Sequence, residues 1–271
     1  MKLLAISDLH VRHPDNRAFV ERIEARPDDW LVIAGDVGED VNDLELVLDS
    51  LGPKFAKLVW VPGNHELWTL RREGEGAPRG EARYARLVEA CRARGVLTPE
   101  DPYPVWPGDG PPTVIAPMFL LYDYSFRPDD VPRERAIAWA SEADTVCVDE
   151  ELLHPHPHAS REAWCHARVE ATRARLDALG PDVGTVLINH FPLRRAHAFL
   201  PRVPRFCIWC GTTKTEDWHL RYRARAVVYG HLHIPRTHVE DGVAFEEVSL
   251  GYPVQWRGRT KTLRQIWPRP A

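Results

Sequence analysis

The chain has 271 residues, 44% hydrophobic and 27% charged, enough apolar material to bury a substantial core. Its formal net charge of -4, with histidines neutral, leaves no global electrostatic footprint for nucleic acid, so a nucleic-acid partner is not expected. No run approaches the roughly 18 apolar residues that span a bilayer, and the opening MKLLAISDLH lacks the apolar region and cleavage site of a secretory signal. Five cysteines, an odd number, argue against a disulfide framework and for a reducing cytoplasm, the location expected here.

In chain order, KLLAISD (2–8), WLVIAGD (30–36) and KLVWVPGN (57–64) read as buried strands. Helical patterns separate them: NRAFVERIEAR (16–26), capped by Asp15 or Asn16, and DLELVLDSLG (43–52), capped by Asn42 or Asp43. This alternation implies right-handed crossovers and a largely parallel sheet. Between about 68 and 182 the pattern changes. REGEGAPRG (72–80) reads as a mobile loop and EARYARLVEACRARG (81–95) as a helix. A Pro-rich passage (99–112), a strand TVIAPMF (113–119), helical PRERAIAWASEAD (132–144) and a long helix at about 160–179 follow. We expect this region to be a helical insert or lid within a single domain, 1–271. Strands return with GTVLINH (184–190), AVVYGH (226–231) and the more alternating VAFEEVSLG (243–251).

Each strand ends in polar residues. The first yields Asp8 and His10, the second Asp36, and the third Asn64 and His65; later strands yield His190, then His231 and His233. Ligands of open α/β sheets bind at the carboxyl ends of strands, so these side chains arrive at one edge. Asp8 and His10, like His231 and His233, are two apart, and alternate residues of an extended segment point the same way. Two carboxylates, four imidazoles and an amide converging on one point require cations. Seven ligands exceed one tetrahedral site, so two metal ions are implied, with one carboxylate bridging them. Such mixed nitrogen and oxygen ligands suit Mn, Fe, Ni or Zn, with Mn or Fe favoured.

The motifs SDLH, GDVGE, GNHE, NHF and GHLH, in this order from residue 8 to 233, resemble those of the calcineurin-like metallophosphoesterase superfamily. The resemblance implies a four-layer α/β/β/α sandwich with a two-metal site at the carboxyl ends of the strands. It implies that Asp8, His10, Asp36 and His233 bind one metal. Asp36 would bridge to a second, completed by Asn64, His190 and His231. It also implies that His65 lies beside the metals, contacts phosphate and protonates the leaving oxygen after attack by a hydroxide held between them. Asp36 and His65 are thus the catalytic candidates, and Glu66 is a candidate to orient the GNHE turn.

Around this frame, the Arg-rich segment 191–219 follows a metal ligand directly. It offers Arg194, Arg195, Arg202, Arg205 and Trp209 as substrate contacts, alongside Asn64 and His65. LLYDYSFRP (120–128) offers Tyr122, Tyr124 and Arg127 as another pocket wall. HPHPH (154–158) reads as an extended connector, and the Cys207/Cys210 pair as structural. The expected activity is hydrolysis of a small-molecule phosphate monoester, nucleotide-like or a sugar phosphate. The alternatives are a phosphodiesterase for cyclic or dinucleotide substrates, a nuclease, or a non-enzymatic scaffold. The sequence carries no signal for oligomeric state.

Overall fold

The computed structural model describes residues 1–259 and 261–269. Its first sheet contains β1 (Leu3–Ile6), β2 (Arg26–Ile33) and β3 (Phe55–Trp60) in parallel, with β9 (Arg264–Trp267) antiparallel beside β1. The second sheet has the order β4 (Thr113–Pro117), β5 (Gly184–Ile188), β6 (Ala224–Tyr229), β8 (Val243–Glu247), β7 (Arg236–Glu240). Its strands are parallel except β7.

The sheets stack face to face, which explains why the strand segments are apolar throughout. Leu3, Ala5, Val32, Val59, Val186, Ile188 and Val228 form the core between the sheets. The alternate residues Leu4, Ile6, Leu31, Ile33, Leu58 and Trp60 belong to the outer core under the helices. Strands buried on both faces have no polar side to display. The expected four-layer α/β/β/α arrangement is therefore present.

Over the first sheet lie α1 (Pro14–Glu21), α2 (Val41–Leu51) and α4 (Glu81–Arg92), which packs beside α2; α3 (Asn64–Leu67) is a single turn after β3. Buried side chains of α7 (Arg161–Asp177) and α8 (Trp218–Arg221) join the outer core on the second sheet's side. Short α5 (Ala136–Ser141), α6 (Asp149–Leu152) and α9 (Pro253–Trp256) complete the described helices. Residues 68–182, expected as a helical insert, are distributed through these layers, since they supply α4, the edge strand β4 and α7.

Three local expectations are corrected. First, α1 begins at Pro14 after an N-cap at His13 that makes no side-chain capping bond, so neither Asp15 nor Asn16 caps it. It also stops at Glu21, and Arg26 is already extended, because a residue before proline disfavours helical backbone. Second, Asp40 caps α2, accepting from the amides of Asn42 and Asp43 at 3.1 Å each; Asn42 and Asp43 are the donors. Third, β7 and β9 lie in RTHVE and RQIW, whose polar edge-strand composition gave no apolar run to read.

Candidate metal centre

All seven predicted ligands meet where the carboxyl ends of the two sheets come together. Asp8, His10 and His233 place potential ligand atoms within 4.8 Å of one another. So do His10, Asp36 and His65, and so do Asp36, His190 and His231. The first sheet contributes Asp8, His10, Asp36 and Asn64, and the second contributes His190, His231 and His233.

The route to convergence differs from the expected one. β1 stops at Ile6 and β6 at Tyr229, before the paired ligands. Asp8, His10, Asp36, His231 and His233 instead adopt positive φ angles of 54°, 40°, 53°, 71° and 55°. Left-handed backbone is uncommon outside glycine and concentrates at functional sites, so the convergence rests on turns held against local strain. Gly35, at φ 88°, packs so closely that a Cβ there would lie 2.6 Å from the Gly63 amide nitrogen.

Hydrogen bonds fix which ring atoms are free. His190 Nδ1 donates to the Ala34 carbonyl at 2.8 Å, which turns Nε2 toward Asp36 Oδ2, 3.4 Å away. His233 Nδ1 donates to Gln255 Oε1 at 2.9 Å, and its Nε2 lies 3.0 Å from Asp8 Oδ1 and 3.1 Å from His10 Nε2. Potential ligand atoms thus face one another. His190 Nε2, His231 Nε2 and Asn64 Oδ1 are buried without a hydrogen-bond partner among the described residues. Such orphans are costly unless something else satisfies them. Cations do so, and the donor set fits two, with Asp36 common to two of the three clusters.

The electrostatics agree. Burial pushes the Asp8 and Asp36 carboxyls up, but neighbouring imidazoles, led by His233 and His190 respectively, override it and hold both well below the usual range. Burial lowers His190, yet the Asp36 carboxylate drives it up to about 10. Burial, then nearby imidazole charge, lowers His10 and His231 to about 3. The carboxylates are thus ionised and His10 and His231 free of protons, whereas Asp36 and Asp8 hold His190 and His233 protonated, so metal ions binding here would displace those protons.

Two supporting carboxylates hold this arrangement. Glu66 accepts from the amides of Asp36, Val37 and Gly63 at 3.0, 2.8 and 3.0 Å, so it orients the turn as expected. Burial, then Asp36, raises its carboxyl to about 7. Asp149 is a residue the sequence reading missed. Its Oδ1 accepts from Asn64 Nδ2 at 2.9 Å and Trp68 Nε1 at 2.6 Å. It thereby points the Asn64 amide oxygen toward the ligand cluster and fixes the indole against which His65 packs, ring centroids 3.7 Å apart. Ser249 is a further missed support; its hydroxyl donates to Asp8 Oδ2 at 2.7 Å.

A cleft of about 310 Å³ opens above the ligands. Asp36, Asn64, His65, His231 and His233 form its polar floor. Trp68, Val146, Val148, Leu200, Val203 and Phe206 provide apolar wall, and Tyr252 and Gln255 close one side. None of its described lining residues is Lys or Arg.

The predicted substrate contacts outside the ligand cluster do not reach this cleft. Arg194 pairs with Glu216 at 3.3 Å and Glu240 at 2.6 Å, and Arg195 pairs with Asp129 at 2.7 Å. Arg205 is turned against the Trp139 ring, 4.8 Å from its centroid. Arg127 donates to the Val131 carbonyl at 2.7 Å. Tyr124 and Trp209 are buried, and both donate to Glu150 at 2.8 Å. Local carboxylates and carbonyls hold these side chains away from the cleft. Asn64 and His65 alone of that set face the cleft.

Residues 1–235 match the family model described as calcineurin-like phosphoesterase, and the chain belongs to this family, a group of metal-dependent hydrolases. It is 53% identical over 272 residues to the acyl-carrier-protein phosphodiesterase PptH of Mycobacterium tuberculosis (strain ATCC 25618 / H37Rv), covering 99% of this chain and 84% of that protein. The crystal structure of the phosphopantetheinyl hydrolase PptH from Mycobacterium tuberculosis superposes with a TM-score of 0.95 at 52% identity, covering 99% of this chain and 96% of that one. Among the described residues no helix is long and apolar enough to cross a membrane.

Proposed function

We propose that this chain is a phosphodiesterase that hydrolyses the ester joining a phosphopantetheinyl group to an acyl carrier protein. Similarity along 99% of the chain to a protein described as an acyl-carrier-protein phosphodiesterase supports this substrate. The observation that carries the choice of diester over monoester is the cleft lining. A phosphomonoester brings a second negative charge, for which Arg or Lys is the usual partner. The lining supplies neither and is instead largely apolar, which suits a singly charged diester bearing a long uncharged arm. On this reading the phosphodiesterase alternative of the sequence analysis is preferred to the monoesterase, with a protein-borne group as substrate in place of a nucleotide.

One metal ion would be held by Asp8, His10, Asp36 and His233 and a second by Asp36, Asn64, His190 and His231, and together they would polarise the phosphoryl oxygens and provide a nucleophile at neutral pH. Mn or Fe suits this imidazole-rich set of mixed ligands. The chain's own residues do the rest. Asp36 accepts the His65 amide at 3.0 Å and so holds the GNHE turn against the ligand cluster. His65, lying on Trp68 at the cleft floor, gives its proton to the departing serine oxygen as the phosphorus–oxygen bond breaks. Water supplies the oxygen that joins phosphorus. The products are phosphopantetheine, a monoester, and a carrier with a free serine hydroxyl. The apolar wall lowers the local dielectric and strengthens these interactions.

Mass spectrometry of a phosphopantetheinylated carrier protein incubated with the metal-loaded protein tests the proposal. The expected result is a carrier lighter by its phosphopantetheinyl group, with phosphopantetheine released. A carrier of unchanged mass, beside active cleavage of small phosphate esters, would overturn it.

A further inference from the structure

Five of the ten exposed large apolar side chains among the described residues lie beside the cleft. Val146 is 73% exposed, Val148 50%, Phe199 57%, Val203 42% and Val254 84%. They come from three separate segments: the approach to α6, the stretch after His197, and α9. In each segment the same residues or their immediate neighbours line the cleft: Val146 and Val148 themselves, Leu200 next to Phe199, Val203 itself, and Gln255 next to Val254. These five residues therefore frame the mouth of the metal centre. Apolar surface left in water is unfavourable, and a cluster of it marks a surface that another molecule covers.

The chemistry of the substrate indicates the occupant. In a phosphopantetheinyl carrier only a serine side chain separates phosphorus from the carrier's main chain. A phosphorus seated between Asp36 and His65 therefore draws the carrier backbone down to the rim. The cleft, about 310 Å³, accommodates an extended arm but not the body of a protein. Resting on the diesterase reading above, we infer that the rim formed by Val146, Val148, Phe199, Val203 and Val254 is the docking surface for the carrier protein, contacting an apolar face beside its modified serine. The cleft then selects the arm and the rim selects the protein that bears it.

The test uses Phe199→Asp and Val254→Asp, singly and together, in the metal-loaded full-length protein. Neither residue lies in the cleft floor or wall. The double variant is expected to lose about tenfold or more in kcat/KM toward the phosphopantetheinylated carrier, as loss of an interface anchor does, through a raised KM. Its hydrolysis of bis-p-nitrophenyl phosphate, which has no protein to dock, stays at the wild-type rate. Wild-type kcat/KM on the carrier in the double variant would overturn the docking surface. A parallel loss on both substrates would also overturn it, assigning the rim to the fold. Light scattering that finds a wild-type dimer split by these substitutions, with carrier turnover intact, would give the rim to a second copy of the chain. If the wild-type protein cleaves the small diester but not the carrier, the reading of the carrier as substrate fails, and the inference with it.

Discussion

Asn64 shows how a side chain acquires a chemical role from neighbours that the sequence places far away. Its amide has two ends, and only the oxygen serves a cation. Asp149, 85 residues further along, takes the nitrogen end and so decides the orientation. Asp149→Ala should weaken binding of the second metal by about 10–100-fold, read by calorimetric titration of the metal-free protein. Unchanged affinity with an intact fold would remove Asp149 from this role. His65 differs, because it faces the cleft and the resemblance keeps it off the metals. His65→Ala should slow turnover by about 10²–10⁴-fold while metal content, measured by elemental analysis, stays the same. Loss of metal in that variant would make His65 a ligand. Asn64 and His65 were legible because strand-ending polar groups demand an explanation. Asp149 was not, because nothing in VDEELL separates a buried carboxylate from its solvated neighbours. Arg194, Arg195, Trp209 and Tyr124 misled for the converse reason: a sequence shows which groups can bind a ligand, not which have already found Glu216, Asp129 or Glu150.

At the scale of elements, the strands were readable because each must bury two faces, which leaves an unbroken apolar run. β7 and β9 escaped because an edge strand needs no such run. Helix starts were less legible than helix bodies, since Asp40 and Asn42 are both acceptable caps and only the backbone path selects Asp40. The turns that follow the strands carry the strain of the site. Gly35 sits at φ 88°, where a side chain would also crowd Gly63 and come within 2.7 Å of His190 Nδ1. Gly35→Ala should cost about 1–3 kcal/mol in backbone strain alone, lowering the denaturant midpoint. It should abolish activity by displacing His190. A variant with wild-type stability and rate would show that this turn has room the structure does not provide.

For the molecule as a whole, the ligand set divides between the sheets. Asp8, His10, Asp36 and Asn64 belong to the first, and His190, His231 and His233 to the second. Metal ions bound here would tie the two halves of the sandwich at one edge. Binding to the folded state alone stabilises by mass action, about 2.7 kcal/mol at a hundredfold excess over Kd. Chelation should therefore lower Tm, and restoring the metal should raise it in a concentration-dependent way, followed by calorimetry. A Tm indifferent to metal would mean that the two sheets do not share the ions. The sandwich and its ligand edge could be read from spacing and motif order. The cleft's composition and its apolar rim could not, because exposure is a property of the assembled surface and no periodicity announces it.

We propose that these seven residues form the metal centre of a diesterase. Stripping the protein of metal, restoring Mn²⁺, Fe²⁺, Ni²⁺ or Zn²⁺ separately, and comparing p-nitrophenyl phosphate with bis-p-nitrophenyl phosphate tests it most directly. The expected result is no turnover without metal, recovery with at least one of these ions, and faster cleavage of the diester. Faster cleavage of the monoester, or turnover that survives removal of metal, would contradict it.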